Sequence, residues 1–432
     1  MRDRPVTRQP IAVIGSGVAG LTAAHLLQQD HDVTLFEADS RLGGHAHTHE
    51  HIAAGTGSIR VDSGFIVHNR VTYPNLLRLF ERLGVSTEPT SMSMSVRCEG
   101  CGLEYAGALG LRGLFARPRS AVSPAFWRML LEVHRFHRQA RAVLAGQDPS
   151  SGLTTLGGFL EAGGYSAYFV SHFMIPVVSA VWSTAPRTAL LYPARYLFSF
   201  LEHHGMLSVR GSHQWYTVSG GSRTYVEAIA AGLSAVRLST PVDSLIRRGD
   251  GSGVEIVTSS GTETFRRVVV ATHPDTALRF LADASPSEKD VLGAFRYSRN
   301  ETVLHQDDGV LPVRPAARAA WNYLLPACGQ GVDRDAEQVV VSYDMNRLQH
   351  LPGPDPYVVT LNSTDLIDPD RVLARMVYDH PIYTPQSVEA QARLPELNTD
   401  VTAFAGAYHG WGFHEDGCRA GVAAAARFGA AW

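Results

Sequence analysis

The first apolar run of the chain, residues 11–14, is short, rich in β-branched side chains and closed by Gly15, which is the pattern of a buried strand. Residues 18–29 follow with Leu21, Ala24 and Leu27 at helical spacing, and residues 31–37 return to a strand pattern. Strand, glycine turn, helix, strand is the βαβ unit of a parallel sheet, with a right-handed crossover. From about Cys98 to Met206 the texture becomes helical, aromatic and arginine-rich. Residues 218–270 read as sheet again, around a glycine turn at 251–253, and residues 276–396 are mixed, with proline-rich loops at 311–315 and 351–356. A last short strand over 401–406 leads into a glycine-rich turn and a helical pattern over 418–428. The succession predicts an α/β protein in which one nucleotide-type domain (residues 1–97, 207–275 and 398–432) is interleaved with a mixed α/β substrate domain (98–206 and 276–397). A chain of 432 residues suits two closely packed domains.

Composition narrows the partners. A formal charge of −3 argues against nucleic acid, which needs a concentrated basic surface. The first ten residues are polar, the apolar run 11–14 is too short for a signal peptide, and no apolar stretch would span a bilayer, so a cytoplasmic protein is expected. Cys98 and Cys101 form a lone C-x-x-C, while Cys328 and Cys418 are isolated. With no second pair or histidine pair at zinc-finger spacing, the cysteines read as reduced thiols at a tight turn before Gly102, and no metal is expected. Basic residues are almost all arginine, with Lys289 the only lysine.

Chemistry first shows at the glycine turn. Gly15, Ser16, Gly17, Val18, Ala19 and Gly20 fit G-x-G-x-x-G, in which the backbone approaches a pyrophosphate and the helix N-terminus offers it free N–H groups. Glu37, at the end of the second strand, is placed to accept from the adenosine ribose hydroxyls, and its charge disfavours a 2′-phosphate. Ala38 and Arg41 follow, then the pair Gly43-Gly44 and His45.

The stretch from Glu37 through Arg41 to Gly43-Gly44 resembles the E-x(3)-R-x-G-G continuation of the flavin-containing amine oxidase and phytoene desaturase superfamily. A second resemblance lies in Phe404-Ala405-Gly406-Ala407-Tyr408 and Gly410-Trp411-Gly412-Phe413-His414-Glu415-Asp416-Gly417, which is similar to that superfamily's C-terminal flavin segment. The resemblance implies FAD as cofactor and a Rossmann-like FAD-binding domain of amine-oxidase type. In it the strand-end Gly406 and Ala407 meet the pyrophosphate and ribityl chain. Phe413, His414, Asp416 and Gly417 open a helix that faces the pyrimidine end of the flavin, while Gly64, Phe65 and Ile66 pass beside the ring; Val242 and Ala271 complete the implied FAD contacts. Val61–Val67, Val181-Trp182-Ser183, residues 300–305, Trp321-Asn322-Tyr323 and Tyr343–Asn346 further resemble a bacterial branch of predicted NAD/FAD-binding proteins. Members of that branch are often encoded beside cyclopropane-fatty-acid-synthase-like methyltransferases. This implies an apolar, fatty-acyl or lipid substrate and a lipid methyltransferase as possible partner.

Two departures stand against the amine oxidases. Where many of them carry a lysine near flavin N5, residues 300–305 hold none, and Ala407 stands where an acid often follows the strand-end glycine. Hydride transfer to or from N5 needs an acid or base for the paired proton, and the candidates are His414 and Glu415, with His305 and Glu301 behind them. Helix capping competes as a role for Glu415 and Asp416. The alternating His45, His47, His49 and His51 would share a strand face, but no carboxylate joins them there. The leading expectation is an FAD-dependent oxidoreductase acting on an apolar substrate. A double-bond isomerase, an amine oxidase and a non-catalytic flavoprotein partner of a methyltransferase are the alternatives. Residues 109–144 interleave apolar and arginine positions, which suits either packing on the core or peripheral contact with an anionic membrane.

Overall fold

The computed structural model describes residues 8–53, 57–147, 155–208, 212–328 and 339–432. Its first sheet is parallel and five-stranded, in the spatial order Ala235–Arg237, Asp32–Phe36, Pro10–Ile14, Arg267–Val270, Thr402–Phe404. The apolar run at its centre is continuous because both faces are covered: Ile11 and Val13 enter one core, Ala12 and Ile14 another. Over the first face lie the helices Val18–Leu27 and His414–Arg427. The second face carries an antiparallel sheet, Val242–Arg247, Val254–Thr258 and Gly261–Phe265, with the helices Pro274–Phe280 and Pro286–Gly293.

The two helices on the first face come from opposite ends of the chain and touch backbone to backbone. A Cβ at Gly417 would lie 2.6 Å from Val18 Cγ1, and one at Gly421 would lie 2.3 Å from the Ala19 carbonyl oxygen. Pairing 417 with 18 and 421 with 19 and 22 makes the helices parallel, so both N-termini open at the same end of the sheet. Gly20 closes the arrangement, since a Cβ there would sit 1.9 Å from the Gly15 carbonyl oxygen.

The second half is built on a seven-stranded sheet in the order Val372–Ile382, Arg296–His305, Val358–Leu361, Val340–Asp344, Trp321–Leu325, Met94–Cys98, Glu104–Tyr105. Helices Pro124–Leu144, Ile175–Trp182 and Ala194–His203 share its core, through Phe126, Phe136, Trp182, Phe198 and Phe200 among others. Met94–Cys98 pairs in this sheet, parallel to Trp321–Leu325, so the chain passes into the second half slightly before the boundary expected at residue 97. The hairpin Thr48–Ala53 and Gly57–Asp62 stands beside the junction. Asp62 is tied there by the Ser222 N–H (3.0 Å) and by Gln349 Nε2 (3.0 Å). Among the described residues, no helix is long and apolar enough to cross a membrane.

Candidate active site

At the open end of the parallel sheet the first helix begins at Val18, with Gly17 as an extended N-cap and no side chain capping it. Its first N–H groups are therefore free for an anion. Gly44, at φ +57°, lies against this turn: a Cβ there would come 3.2 Å from Gly17 Cα. The Gly43 N–H donates to Ser16 Oγ at 3.1 Å. Glu37 accepts the Ser16 N–H (2.9 Å), the Ser16 hydroxyl and the Asp39 N–H (2.9 Å). A carboxylate has about four acceptor positions, so one remains for a sugar hydroxyl. Ser239 and Thr240 donate N–H groups to the Asp39 and Glu37 carbonyls and lead the chain to half-buried Val242, while Ala38 is exposed. Ala271 lies beneath the turn, its N–H on the Ile14 carbonyl and its Cβ facing Gly20. Arg41 bends back to the Leu42 carbonyl and pairs with Asp39 at 3.4 Å.

Beyond Gly44 the site changes from backbone to side chains. The His45 ring lies 5.0 Å from Tyr378, 5.6 Å from His380 and 6.4 Å from His273, which stacks on Tyr297 at 4.1 Å. His414 stacks on Phe65 at 3.6 Å, and its Nε2 lies 3.2 Å from the Tyr225 hydroxyl. Burial holds His45 well below the usual imidazole range, lowers His273, and takes His380 to about 4 and His414 to about 3. Yet each of these four residues keeps part of its surface accessible. Groups deep in protein that still keep free surface line an internal hollow. Tyr378 and His380 are supplied by alternate positions of the strand Val372–Ile382. The Tyr378 hydroxyl meets Ser63 Oγ (2.6 Å) and His47 Nδ1 (3.0 Å), and His380 Nδ1 meets Asn300 Nδ2 (2.9 Å).

An aromatic wall adjoins this hollow. Tyr196 donates to the Gly410 carbonyl (2.8 Å) and Trp182 Nε1 to the Trp411 carbonyl (3.0 Å), fixing the loop before the second helix. Phe413 stacks on Phe200 at 5.0 Å. A separate cavity of about 330 Å³ is lined by His47, His49, His51, Arg223 and Leu304 among others. His47 and His49 lie 4.0 Å apart, and burial first, then charge, takes them to about 3 and about 4.

The four proton-transfer candidates part company here. His414 stands in the hollow. Glu415 instead accepts the N–H groups of Asn75 (3.1 Å) and Leu76 (3.0 Å), as well as Asn75 Nδ2, and so caps the helix Pro74–Leu83. Asp416 accepts the Phe413 N–H (3.1 Å) at the start of its own helix and pairs with Arg419 (2.9 Å). His305 has both ring nitrogens engaged within its sheet, Nδ1 by the Asp307 N–H (3.1 Å) and Nε2 by Thr360 Oγ1 (2.8 Å). Glu301 is exposed, taking a hydroxyl from Thr364. It shares a strand with Asn300 but points the other way, because successive residues face opposite sides. Tyr378, His380, His273 and Tyr297 escaped the sequence reading. Their one signal is the i, i+2 pair Tyr378 and His380 within a single strand.

These features suit FAD: a turn with free N–H groups, the Gly44 backbone packed against Gly17 beside it, and a second helix N-terminus at Phe413–Gly417. The family profile described as flavin containing amine oxidoreductase matches residues 18–303. A Mycobacterium tuberculosis protein, AofH, provisionally named a flavin-containing monoamine oxidase, is 29% identical over 293 residues, covering 63% of this chain. That match spans 59% of the mycobacterial protein's own length. Among solved structures, cyclohexylamine oxidase from Brevibacterium oxydans superposes with a TM-score of 0.70 at 20% identity, over 97% of this chain and 98% of the other. A fatty acid isomerase from P. acnes that produces CLA superposes with 0.66 at 16% identity, over 98% and 99%. At such identities the superpositions establish the fold alone. With the profile match over most of its length, the chain belongs to the flavin-containing amine oxidoreductase family, and its cofactor is FAD.

Proposed function

We propose that the protein is an FAD-dependent oxidoreductase whose substrate is neutral and apolar, a fatty-acyl chain or related lipid. The observation that carries this reading is the wall of the hollow: four histidines held neutral by desolvation, with Tyr297, Tyr378 and the Phe413 segment beside them. An ammonium group entering it would find no free carboxylate among the nearby buried acids. Asp62 is occupied by Thr48, Ser222 and Gln349, Glu415 by Asn75 and Leu76, and Asp416 by Phe413 and Arg419. Lys289 is exposed on the helix Pro286–Gly293. When bound, FAD supplies a hydride acceptor or donor at N5. His414 Nε2, beside the Tyr225 hydroxyl, is the group we assign to relay the paired proton without retaining it, since burial keeps the ring neutral.

The outer surface supports the same class of substrate. In the segment 109–144, Leu111, Val122 and Leu131 are 76%, 82% and 73% exposed, and Trp127, Arg112, Arg119, Arg128 and Arg138 are exposed as well. Exposed apolar and arginine side chains interleaved along one segment suit the surface of an anionic membrane, from which a lipid would be drawn. Amine oxidation is the second reading. It is favoured by the names of the relatives and by the aromatic faces of Tyr196, Trp411 and Phe413, which can attract a cation.

Anaerobic mixing separates the two. FAD-loaded protein is mixed with an unsaturated fatty acid carried in anionic vesicles, and separately with primary amines, while the flavin absorbance is followed. Bleaching by the fatty acid alone is the expected result. A shifted double bond without lasting bleaching identifies isomerisation, in which the hydride returns within one turnover. Bleaching by amines alone, with peroxide formed when oxygen is readmitted, overturns the lipid reading.

A further inference from the structure

Spacing alone gives Cys98 and Cys101 no metal partner, yet the fold brings a histidine and a third cysteine beside them. Cys98 ends the strand Met94–Cys98 and Cys101 sits in the turn that follows, which the Cys98 N–H closes onto the Leu103 carbonyl (2.8 Å). Cys328 arrives from the end of the neighbouring strand Trp321–Leu325, and His172 from the turn Val170–Met174 in the helical insertion. One ligand atom from each of these four residues lies within 4.8 Å of all the others.

We propose that Cys98, Cys101, His172 and Cys328 form a tetrahedral Cys3His zinc site that fastens the helical insertion to the edge of the seven-stranded sheet. Zinc–sulfur and zinc–nitrogen bonds of roughly 2.3 and 2.0 Å place tetrahedral ligand atoms about 3.5–3.8 Å apart. Cys101 Sγ and His172 Nε2 are already 3.5 Å apart, and the widest separation needs only about 1 Å of closure. The donor set, three thiolates and one imidazole, is that of a structural rather than catalytic zinc, since it leaves no open position.

The surroundings are arranged for ligation. His172 Nδ1 faces the Tyr168 carbonyl (3.1 Å) and Ser171 Oγ (2.8 Å). A carbonyl only accepts, so the proton belongs on Nδ1 and the lone pair on Nε2 is turned toward the sulfurs. This is the outer-shell partnership that metal-bound imidazoles need. The Tyr168 ring stacks on the imidazole at 4.0 Å, and Tyr105 donates to the His172 carbonyl at 2.8 Å. The ligand sits in a single wide π turn between helices, a local irregularity that re-aims one side chain. Gly100 makes room on the opposite side: a Cβ there would meet Cys328 N at 2.6 Å and Cys328 Sγ at 3.0 Å. Two of the three segments belong to parts of the chain more than 200 residues apart, so a bond between them constrains the fold far more than a local turn would.

Metal analysis of the whole protein, purified without added metal, tests this. About one zinc per chain is expected, falling below about one-tenth in the Cys98→Ser/Cys328→Ser double variant. His172→Cys should keep the metal, because four thiolates also close a tetrahedron around zinc. Should the double variant fail to fold, cobalt exchanged into the wild type decides the matter: intense tetrahedral ligand-field bands with thiolate charge transfer are expected. A wild type without stoichiometric zinc, one with iron in its place, or zinc fully retained by a folded double variant overturns the proposal.

Discussion

The two halves of the molecule handle their ligands in different ways. Around the Gly15–Gly20 turn the protein offers mainly backbone: free helix N–H groups, a glycine lying on a glycine, and one carboxylate. Around His45 it offers side chains gathered from distant strands, with Tyr378 and His380 set against Asn300, Ser63 and His47. A cofactor shared by a whole family is held by main chain, which tolerates drift in most side chains. The lining around His45 depends on the side chains themselves, so it can be refitted without disturbing the phosphate-binding turn.

The most damaging way to test this division is Gly20→Val. Its Cβ would collide with the Gly15 carbonyl, and stability should drop by on the order of 3 kcal/mol, with loss of nearly all bound flavin. Flavin absorbance per chain and urea unfolding measure both effects. Full flavin content in this variant would mean that backbone contact is not what holds the cofactor.

Acid should act on the fold through its buried histidines. His47, His49, His380 and His414 titrate in the fold at about 3, 4, 4 and 3, against about 6.5 when unfolded. Between those values the unfolded chain binds more protons, so histidine-linked stability is present above about 6.5 and is lost as pH falls toward 4. Asp62 and Asp416, raised by burial to about 6, act in the opposite sense over the same window. His68, His137, His204, His305 and His409 are likewise lowered to about 4, so the imidazoles outweigh these carboxylates and Tm should decline steadily from about pH 6.5 to 4.5. A Tm that is flat over that range would show the imidazoles to be far better solvated than their positions imply.

The mildest test is Tyr378→Phe. It removes the hydroxyl shared with Ser63 and His47, which should cost about 1 kcal/mol and leave flavin content unchanged. A clear fall in flavin content would erase the distinction between the halves, because a cavity side chain would then be holding cofactor.

The same division explains what was legible in the sequence. Backbone recognition is written in consecutive residues, so Gly15–Gly20, Glu37, Gly43-Gly44 and the segment around Gly406–Gly417 could be read directly. The interleaving of the two halves was also readable, because the buried strands 11–14 and 268–270 are unbroken apolar runs. Cavity residues depend on register. From residues 300–305 the sequence reading chose Glu301 and His305, whereas in the strand Arg296–His305 it is Asn300 that reaches His380. Glu415 was legible in position and ambiguous in role until Asn75 and Leu76 were seen beside it. Cys328 and His172 carry no local pattern linking them to Cys98, since the pairing of the strands ending at 98 and 325 brings in Cys328 and the packing of the segment 170–174 brings in His172.

The parallel seating of the helices Val18–Leu27 and His414–Arg427 has a consequence for biosynthesis. A nascent chain emerging from the ribosome exposes the first phosphate-binding turn early, but its companion helix is made some 400 residues later. FAD can therefore be fully enclosed only after translation has passed residue 427. Until then the apolar surface of the first helix stays uncovered, and premature termination before residue 414 should yield a colourless, aggregation-prone fragment in place of a weaker enzyme.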